Sequence, residues 1–263
     1  MQNNEPKFEI LHMPPENTNS LLVSVGDAAV IFDPWGRAAD WEKLLNDRHL
    51  NLRAIYATHG HTDHISAAPE LAEKYNVPWY MNSGDNDLVL WGNPLLDFFE
   101  MPHIPDNYRR ATDVVAGETE ILPGVNMTAI ATPGHSAGGM AYLFPDFGIL
   151  LTGDTLFRDS VGRYDFPGAD ADALRASIAR LYDLNLPDET YVVHGHGVDS
   201  TIGLLKTQNP YFKPMEHCCC GHGHGSCCGN HGNGDCCGKH HDGPHHCCGG
   251  AHDGCKCHCD GDN

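Results

Sequence analysis

Short apolar blocks punctuated by Gly, Pro, Asp and Asn run along the chain as far as about residue 213. Phe8 to Leu11 reads as a short strand. Ser20 to Val25 and Ala28 to Phe32 read as a hairpin turned at Gly26-Asp27, where glycine supplies the conformation a tight turn needs. Asp33-Pro34-Trp35-Gly36 ends that hairpin, Ala38 to Leu45 has helical spacing, and Leu52 to Ala57 is a β-type run. Ser66 is placed to cap a helix reaching about Tyr75, with Pro69 in its first turn, and Val77 to Met81 follows as a strand. Strand, helix and strand in succession predict a layered α/β fold.

The pattern weakens between Asn82 and Gly124. Leu88 to Phe99 has helical character, and Met101-Pro102-His103-Ile104-Pro105 is an irregular loop. Trp91, Phe98, Phe99 and Tyr108 are expected to pack in the core, with the wall of a pocket as the alternative. Periodicity returns with Met127 to Ala131, with a hairpin of Met140 to Phe144 against Gly148 to Leu151, and with an amphipathic helix from about Asp172 to Tyr182 after Asp170. Tyr191 to Val193 is a further strand, and Thr201 to Lys206 with Asn209-Pro210-Tyr211 closes the region as two similar halves of strands and helices.

Chemistry gathers where these strands end. Thr58-His59-Gly60-His61-Thr62-Asp63-His64 puts three imidazoles and a carboxylate within six residues of a strand terminus, a donor set suited to zinc, iron or manganese. His135 ends Thr132-Pro133-Gly134-His135, Asp154 sits in Gly153-Asp154-Thr155, and His194-Gly195-His196-Gly197 follows Tyr191 to Val193. Strand ends lie side by side in a layered α/β protein, so these distant residues are expected to meet in one cleft.

These segments, in this order, resemble the metallo-β-lactamase-fold hydrolases, and among them the glyoxalase II (hydroxyacylglutathione hydrolase)-like branch, over residues 6 to 213 or so. The resemblance rests on the H-x-H-x-D-H run at His59, on Thr132 to His135, on Gly153-Asp154-Thr155-Leu156-Phe157, on the closing His194 to Gly197 and on Gly162 to Asp170. It implies a four-layer αβ/βα sandwich with two divalent metal ions, zinc first and iron or manganese as alternatives. His59, His61 and His135 match the ligands of one metal, Asp63, His64 and His196 those of the other, and Asp154 the carboxylate between them. A carboxylate has two oxygens and can span two cations, which a neutral imidazole cannot. The activity implied is hydrolysis of an acyl thioester by metal-bound hydroxide, with Asp63 also orienting the water. Arg163 and Asp165 are candidate substrate contacts, or else a salt-bridged loop, and His194 is expected to be structural. Fuller glyoxalase II chains carry a C-terminal helical domain with basic residues that hold glutathione; here a Cys/His-rich segment stands in that place, so the thiol stays open.

Composition divides the chain. All twelve cysteines lie after residue 217: Cys218, Cys219, Cys220, Cys227, Cys228, Cys236, Cys237, Cys247, Cys248, Cys255, Cys257 and Cys259. Residues 1–214 are expected to form the hydrolase domain and 215–263 a metallothionein-like tail, disordered without metal because it has almost nothing apolar to bury. With ten histidines beside the thiols, the tail has donors for roughly five tetrahedral zinc ions, and its thiolates suit Cu(I) as well. It could load the active site, sequester metal independently or be merely solvated.

A formal charge of −19 argues against a nucleic-acid surface and against steering of a highly anionic substrate over the whole surface, leaves room for a local basic patch, and is read as solubility. No nucleic-acid or membrane partner is expected, only a small acyl substrate and metal ions. The lack of a leader or spanning run suggests the cytoplasm. Two other functions remain at this stage: a persulfide dioxygenase, which shares the H-x-H-x-D-H run but uses one iron, and a metal-storage protein that keeps the domain as scaffold. A β-lactamase is a weaker alternative.

Overall fold

The computed structural model describes residues 5–13 and 18–214; the expectations drawn for 215–263, including every cysteine, lie outside the described residues. Among the described residues, twelve strands form two six-stranded sheets. The first contains β1 (Lys7–Met13), β2 (Thr18–Val25), β3 (Ala28–Phe32), β4 (Asn51–Tyr56), β5 (Trp79–Met81) and β6 (Thr112–Asp113) in that spatial order. Its first three strands are antiparallel and the rest join in parallel. The second contains β7 (Gly117–Leu122), β8 (Val125–Ala131), β9 (Met140–Phe144), β10 (Ile149–Gly153), β11 (Tyr191–His194) and β12 (Ser200–Thr201), antiparallel except where β10 meets β11.

The two sheets bury their facing sides against each other. Leu21, Val30, Phe32 and Tyr56 of the first pack with Met127, Tyr142, Phe144 and Val193 of the second. Phe32 lies 5.2 Å from the Tyr56 ring, 5.3 Å from Tyr142 and 5.6 Å from Phe144, pairings that add about 0.5–1.5 kcal/mol each beyond the area they bury. Outside the first sheet lie α1 (Ala38–Asp47) and α3 (Ala68–Tyr75), anchored by Trp41, Leu45 and Leu71. Outside the second lie α6 (Ala171–Asp183) and α7 (Ile202–Gln208), anchored by Leu174, Ile178 and Leu205. The result is the expected four-layer αβ/βα sandwich. Strands covered on both faces need near-continuous apolar runs, which is how β2, β3 and β10 read in the sequence.

Several local expectations change. Ser66 does not start the helix that reaches Tyr75: it ends the short helix α2 (Thr62–Ile65), its N–H donating to Thr62 O, α3 begins at Ala68, and the Ser66 hydroxyl donates to Gly36 O and accepts from Gly36 N–H. The helix expected over Leu88 to Phe99 breaks at Gly92 into α4 (Leu88–Trp91) and α5 (Asn93–Phe98). A Cβ at Gly92 would fall 1.6 Å from the Thr62 hydroxyl, so the break lets this segment press against the ligand-bearing turn. β7 shows no burial alternation along most of its length, which hid it in the sequence. Among the described residues, no helix is long and apolar enough to cross a membrane.

Candidate metal centre

β4 ends at Tyr56, and the next residues, Ala57 to His61, run under the centre before α2 begins. Tyr142 O–H donates to Ala57 O at 2.8 Å and Met140 N–H to Thr58 O at 2.8 Å, so the second sheet holds this loop from below. β8 leads to His135, β10 to Asp154 and β11 to His196, and all seven expected ligands converge. His59, His61 and His135 form one group whose donor atoms lie within 4.8 Å of one another; Asp63, His64 and His196 form a second; His59, His64 and Asp154 form a third that joins them.

The distances suit cations. His61 Nδ1 faces His135 Nε2 at 2.9 Å, and His64 Nε2 faces His196 Nε2 at 3.3 Å, close to the roughly 3.3 Å between two nitrogens on one tetrahedral zinc. Asp63 Oδ2 is 3.1 Å from His196 Nε2 and 3.8 Å from His64 Nε2. Asp154 lies between the groups, with Oδ1 3.4 Å from His64 Nε2 and Oδ2 3.7 Å from both His135 Nε2 and His196 Nε2. His59 Nε2 and Asp154 Oδ1 are buried without a hydrogen-bond partner among the described residues, a cost of about 1–3 kcal/mol each unless something binds there. The donor set and these orphaned atoms fit a divalent metal.

The surrounding hydrogen bonds fix which nitrogen each ring presents. Asp33 is fully buried; it accepts from Thr58 N–H at 2.6 Å, from the Thr58 hydroxyl at 2.8 Å and from His64 Nδ1–H at 3.0 Å. The same Thr58 oxygen accepts from His59 Nδ1–H at 3.0 Å, so one carboxylate turns the Nε2 lone pairs of both rings inward. His135 Nδ1–H donates to Arg163 O at 2.7 Å, with the same effect. Asp85, also fully buried, accepts from Gly60 N–H, the Ser136 hydroxyl and Gly138 N–H at 2.9, 2.7 and 2.6 Å, joining the His59–His61 loop to the His135 loop. On the other side Asn19 donates through its amide to His194 O and Gly197 O, both at 3.0 Å, and through its backbone to Gly195 O at 2.8 Å. The Thr18 hydroxyl donates to Asp63 O at 2.9 Å. Sequence reading passed over Asp33, Asp85 and Asn19; the one local signal was the chain break at Asp33-Pro34.

Charges are arranged to match. Burial first, then the neighbouring imidazoles, hold His59 well below its ordinary range, and burial with His135 beside it brings His61 down to about 4, so both are neutral ligands near pH 7. Burial opposes the charged form of His64 but is outweighed by Asp33, Asp154 and Asp63, which push the ring well up. Burial likewise opposes ionisation of Asp63 and Asp154, and His64 and His196 outweigh it, so both carboxyls lie below the usual range.

His194 stands outside the cluster, as the resemblance implied: the ring is buried, donates to Leu156 O at 2.6 Å and meets the Ser200 hydroxyl at 2.8 Å. Arg163 and Asp165 form a doubly hydrogen-bonded pair at 2.9 Å on the surface, with the guanidinium 4.1 Å from the Phe166 ring, and Arg163 meets the centre only through its carbonyl. Phe166 stands 5.4 Å and Trp91 6.4 Å from the His61 ring, forming an aromatic flank. Tyr108 is buried away from the cluster against Trp79, Phe99 packs on Trp35, and Phe98 is exposed.

Fold and centre together define a protein of the metallo-hydrolase superfamily with a His/Asp metal-binding cluster. The chain belongs to the metallo-beta-lactamase superfamily, whose sequence pattern matches residues 13–196. It is 34% identical over 192 residues to the hydroxyacylglutathione hydrolase GloC of Haemophilus influenzae, spanning 70% of this chain and 86% of that one. Among solved structures it is similar to TTHA1623 in a di-iron-bound form, at 34% identity and TM-score 0.68 over 77% of this chain and 99% of that one. It is also similar to the BLEG-1 B3 metallo-beta-lactamase, at 30% identity and TM-score 0.69 over 78% and 99%.

Proposed function

We propose that this chain is a dinuclear metal-dependent hydrolase of acyl thioesters, working in the cytoplasm. The observation that carries the reading is Asp154, which lies between the two ligand groups, with Oδ1 3.4 Å from His64 Nε2 and Oδ2 3.7 Å from both His135 Nε2 and His196 Nε2, a position from which one carboxylate would serve two adjacent cations. In this reading His59, His61 and His135 hold one cation, Asp63, His64 and His196 the other, and Asp154 spans them. Two such ions, zinc by preference, with iron or manganese as alternatives, would supply Lewis acidity toward the thioester carbonyl and a nucleophilic water at neutral pH.

The chain's own residues do the rest. Asp63, kept ionised by His64 and His196, accepts a hydrogen bond from the water and turns its lone pair toward the carbonyl. His59 and His61 stay neutral and keep their lone pairs for coordination. The aromatic flank of Trp91 and Phe166 shields the His61 side from bulk water. Arg163 and Asp165 lie at its edge and contact whichever portion of the substrate lies on the His61 side once it opens their mutual pair. The reading favours a thioester because the hydroxyacylglutathione hydrolase matches at 34% and because no serine or cysteine nucleophile is needed. The cysteines of 215–263 bind further zinc or Cu(I).

The test is hydrolysis of S-lactoylglutathione by the zinc-loaded protein beside Asp154→Ala. Turnover that vanishes in the variant supports the reading. Oxygen consumption with glutathione persulfide, in place of hydrolysis and with a single iron in the centre, would replace it with a persulfide dioxygenase; rapid nitrocefin cleavage would replace it with a β-lactamase.

A further inference from the structure

On the His196 side of the centre, away from the aromatic flank, a groove of about 380 Å³ is lined by Phe157, Arg158, Asp159, Ser160, Val198 and Gln208 and shares His196 with the cluster. A substrate lying across the cations reaches into this groove with whichever portion points away from His61. Phe157 stands 6.4 Å from the His196 ring, and the exposed Val198 adds a second apolar side chain to the lining.

The turn that carries Arg158 is held rigidly. Phe157 N–H donates to Ser160 O at 3.0 Å, and Leu156 pairs with Val161 across its base. The buried amide of Asn209 donates to Phe157 O at 2.8 Å and Ser160 O at 2.9 Å. Arg158 itself is half-buried, and its Nε donates to Gln208 Oε1 at 3.3 Å, which orients the guanidinium and leaves its outer N–H groups unclaimed. No carboxylate of the described residues forms an ion pair with it; Asp159, the acidic residue of the lining, is exposed and forms no ion pair among the described residues. In a chain of net charge −19 an anionic substrate is repelled at long range, so its recognition calls for a fixed local cation. A guanidinium presents the planar fork that matches a carboxylate.

We propose that Arg158 makes this groove a subsite for a carboxylate carried by the substrate, on either its acyl or its thiol portion. The inference rests on the thioesterase reading of the same centre. Gln208 is then a positioning residue for the guanidinium, and discrimination between charged and neutral substrates is set on the groove side of the centre, apart from the metal ligands.

The experiment compares zinc-loaded full-length wild type, Arg158→Gln and Arg158→Lys in two arms. The acyl arm uses succinyl against butyryl thioesters of the uncharged thiol N-acetylcysteamine; the thiol arm uses butyryl thioesters of glutathione against N-acetylcysteamine. In one arm Arg158→Gln lowers kcat/KM at least tenfold for the carboxylate-bearing member, mainly through KM, and changes the neutral member less than twofold; Arg158→Lys restores part of the loss. The arm that responds identifies the portion that bears the anion. Equal losses on charged and neutral members, or no loss in either arm, overturn the proposal. Should wild type cleave none of the four, the thioesterase reading fails by itself, and the subsite is read from thermal stabilisation instead. Succinate over butyrate, or glutathione over N-acetylcysteamine, then raises the melting temperature of wild type but not of Arg158→Gln; equal shifts in the two proteins overturn it.

Discussion

Gly195 approaches Asp154 so closely that a Cβ on it would lie 1.9 Å from Asp154 Oδ1 and 2.8 Å from His64 Cε1. The glycine between the two closing histidines is therefore required by the carboxylate opposite and not by its own backbone angles, which any residue can adopt. Gly195→Ala must push Asp154 from between the two ligand groups or shift the His196 loop. The expected result is a folded protein that binds less than one equivalent of the usual metal in the centre and loses at least a hundredfold in kcat/KM, read by metal analysis with the tail contribution subtracted and by turnover. Near-normal stoichiometry and activity would show that Asp154 does not need its present position.

Asp33 serves three donors from one fully buried carboxylate. Asp33→Ala leaves those donors and the His64 ring without partners and is expected to cost about 3–5 kcal/mol of stability, the range for breaking a buried ion pair. Asp33→Asn keeps the shape but puts a donor where His64 Nδ1–H needs an acceptor; metal affinity should fall about 10–100-fold, as is usual for an outer partner of a ligating histidine. Titration against a competing chelator checks both numbers.

Asp85 and Asn19 support opposite halves of the centre. Asp85 ties Gly60 to Ser136 and Gly138, beside the His59, His61 and His135 group, while Asn19 brackets His196 by bonding the carbonyls of His194, Gly195 and Gly197. Asp85→Ala should weaken the first cation more than the second, and Asn19→Ala the reverse, each at a stability cost of about 2–3 kcal/mol. The visible spectrum of the cobalt-substituted protein during stepwise loading distinguishes the two sites, and identical loading curves for the two variants would refute the division.

The metal-free protein should be most stable near pH 6.5. His61 and His194 are held at about 4 in the fold, chiefly by burial, against about 6.5 when unfolded. Between those values the unfolded chain binds protons that the fold refuses, so stability falls as pH drops from about 6.5 toward 4, by up to roughly 3 kcal/mol for each ring. His64 and His196 are raised, so their contribution is complete below about 6.5 and is lost as pH climbs through their folded values. Asp63 and Asp154 are depressed and keep their contribution until pH falls below the ordinary carboxyl range. Urea unfolding across pH 4 to 9 reads the curve. Bound metal should steepen the acid side, because protons then also compete for ligands.

The ligand residues were legible because their chemistry is dense and local. Four donors in six residues after a β-type run, and single donors after three later strands, need only the rule that strand ends share a cleft. The layered α/β class followed from strand, helix and strand in succession, and the four-layer sandwich from the resemblance that the ligand motifs carry. What the tertiary structure alone decided is everything that depends on approach across the chain: Asp33 reaching His64 31 residues on, Asn19 reaching Gly197 178 residues on, and Arg163 serving His135 through a carbonyl that any residue possesses. Buried hydrogen bonds of that kind leave no periodic trace, because one polar residue in a turn reads the same whether it faces water or a ligand. Arg158 is the clearest instance: in the sequence it is one surface cation among sixteen bases, and only the packing of Asn209 and Gln208 around its turn holds it beside His196.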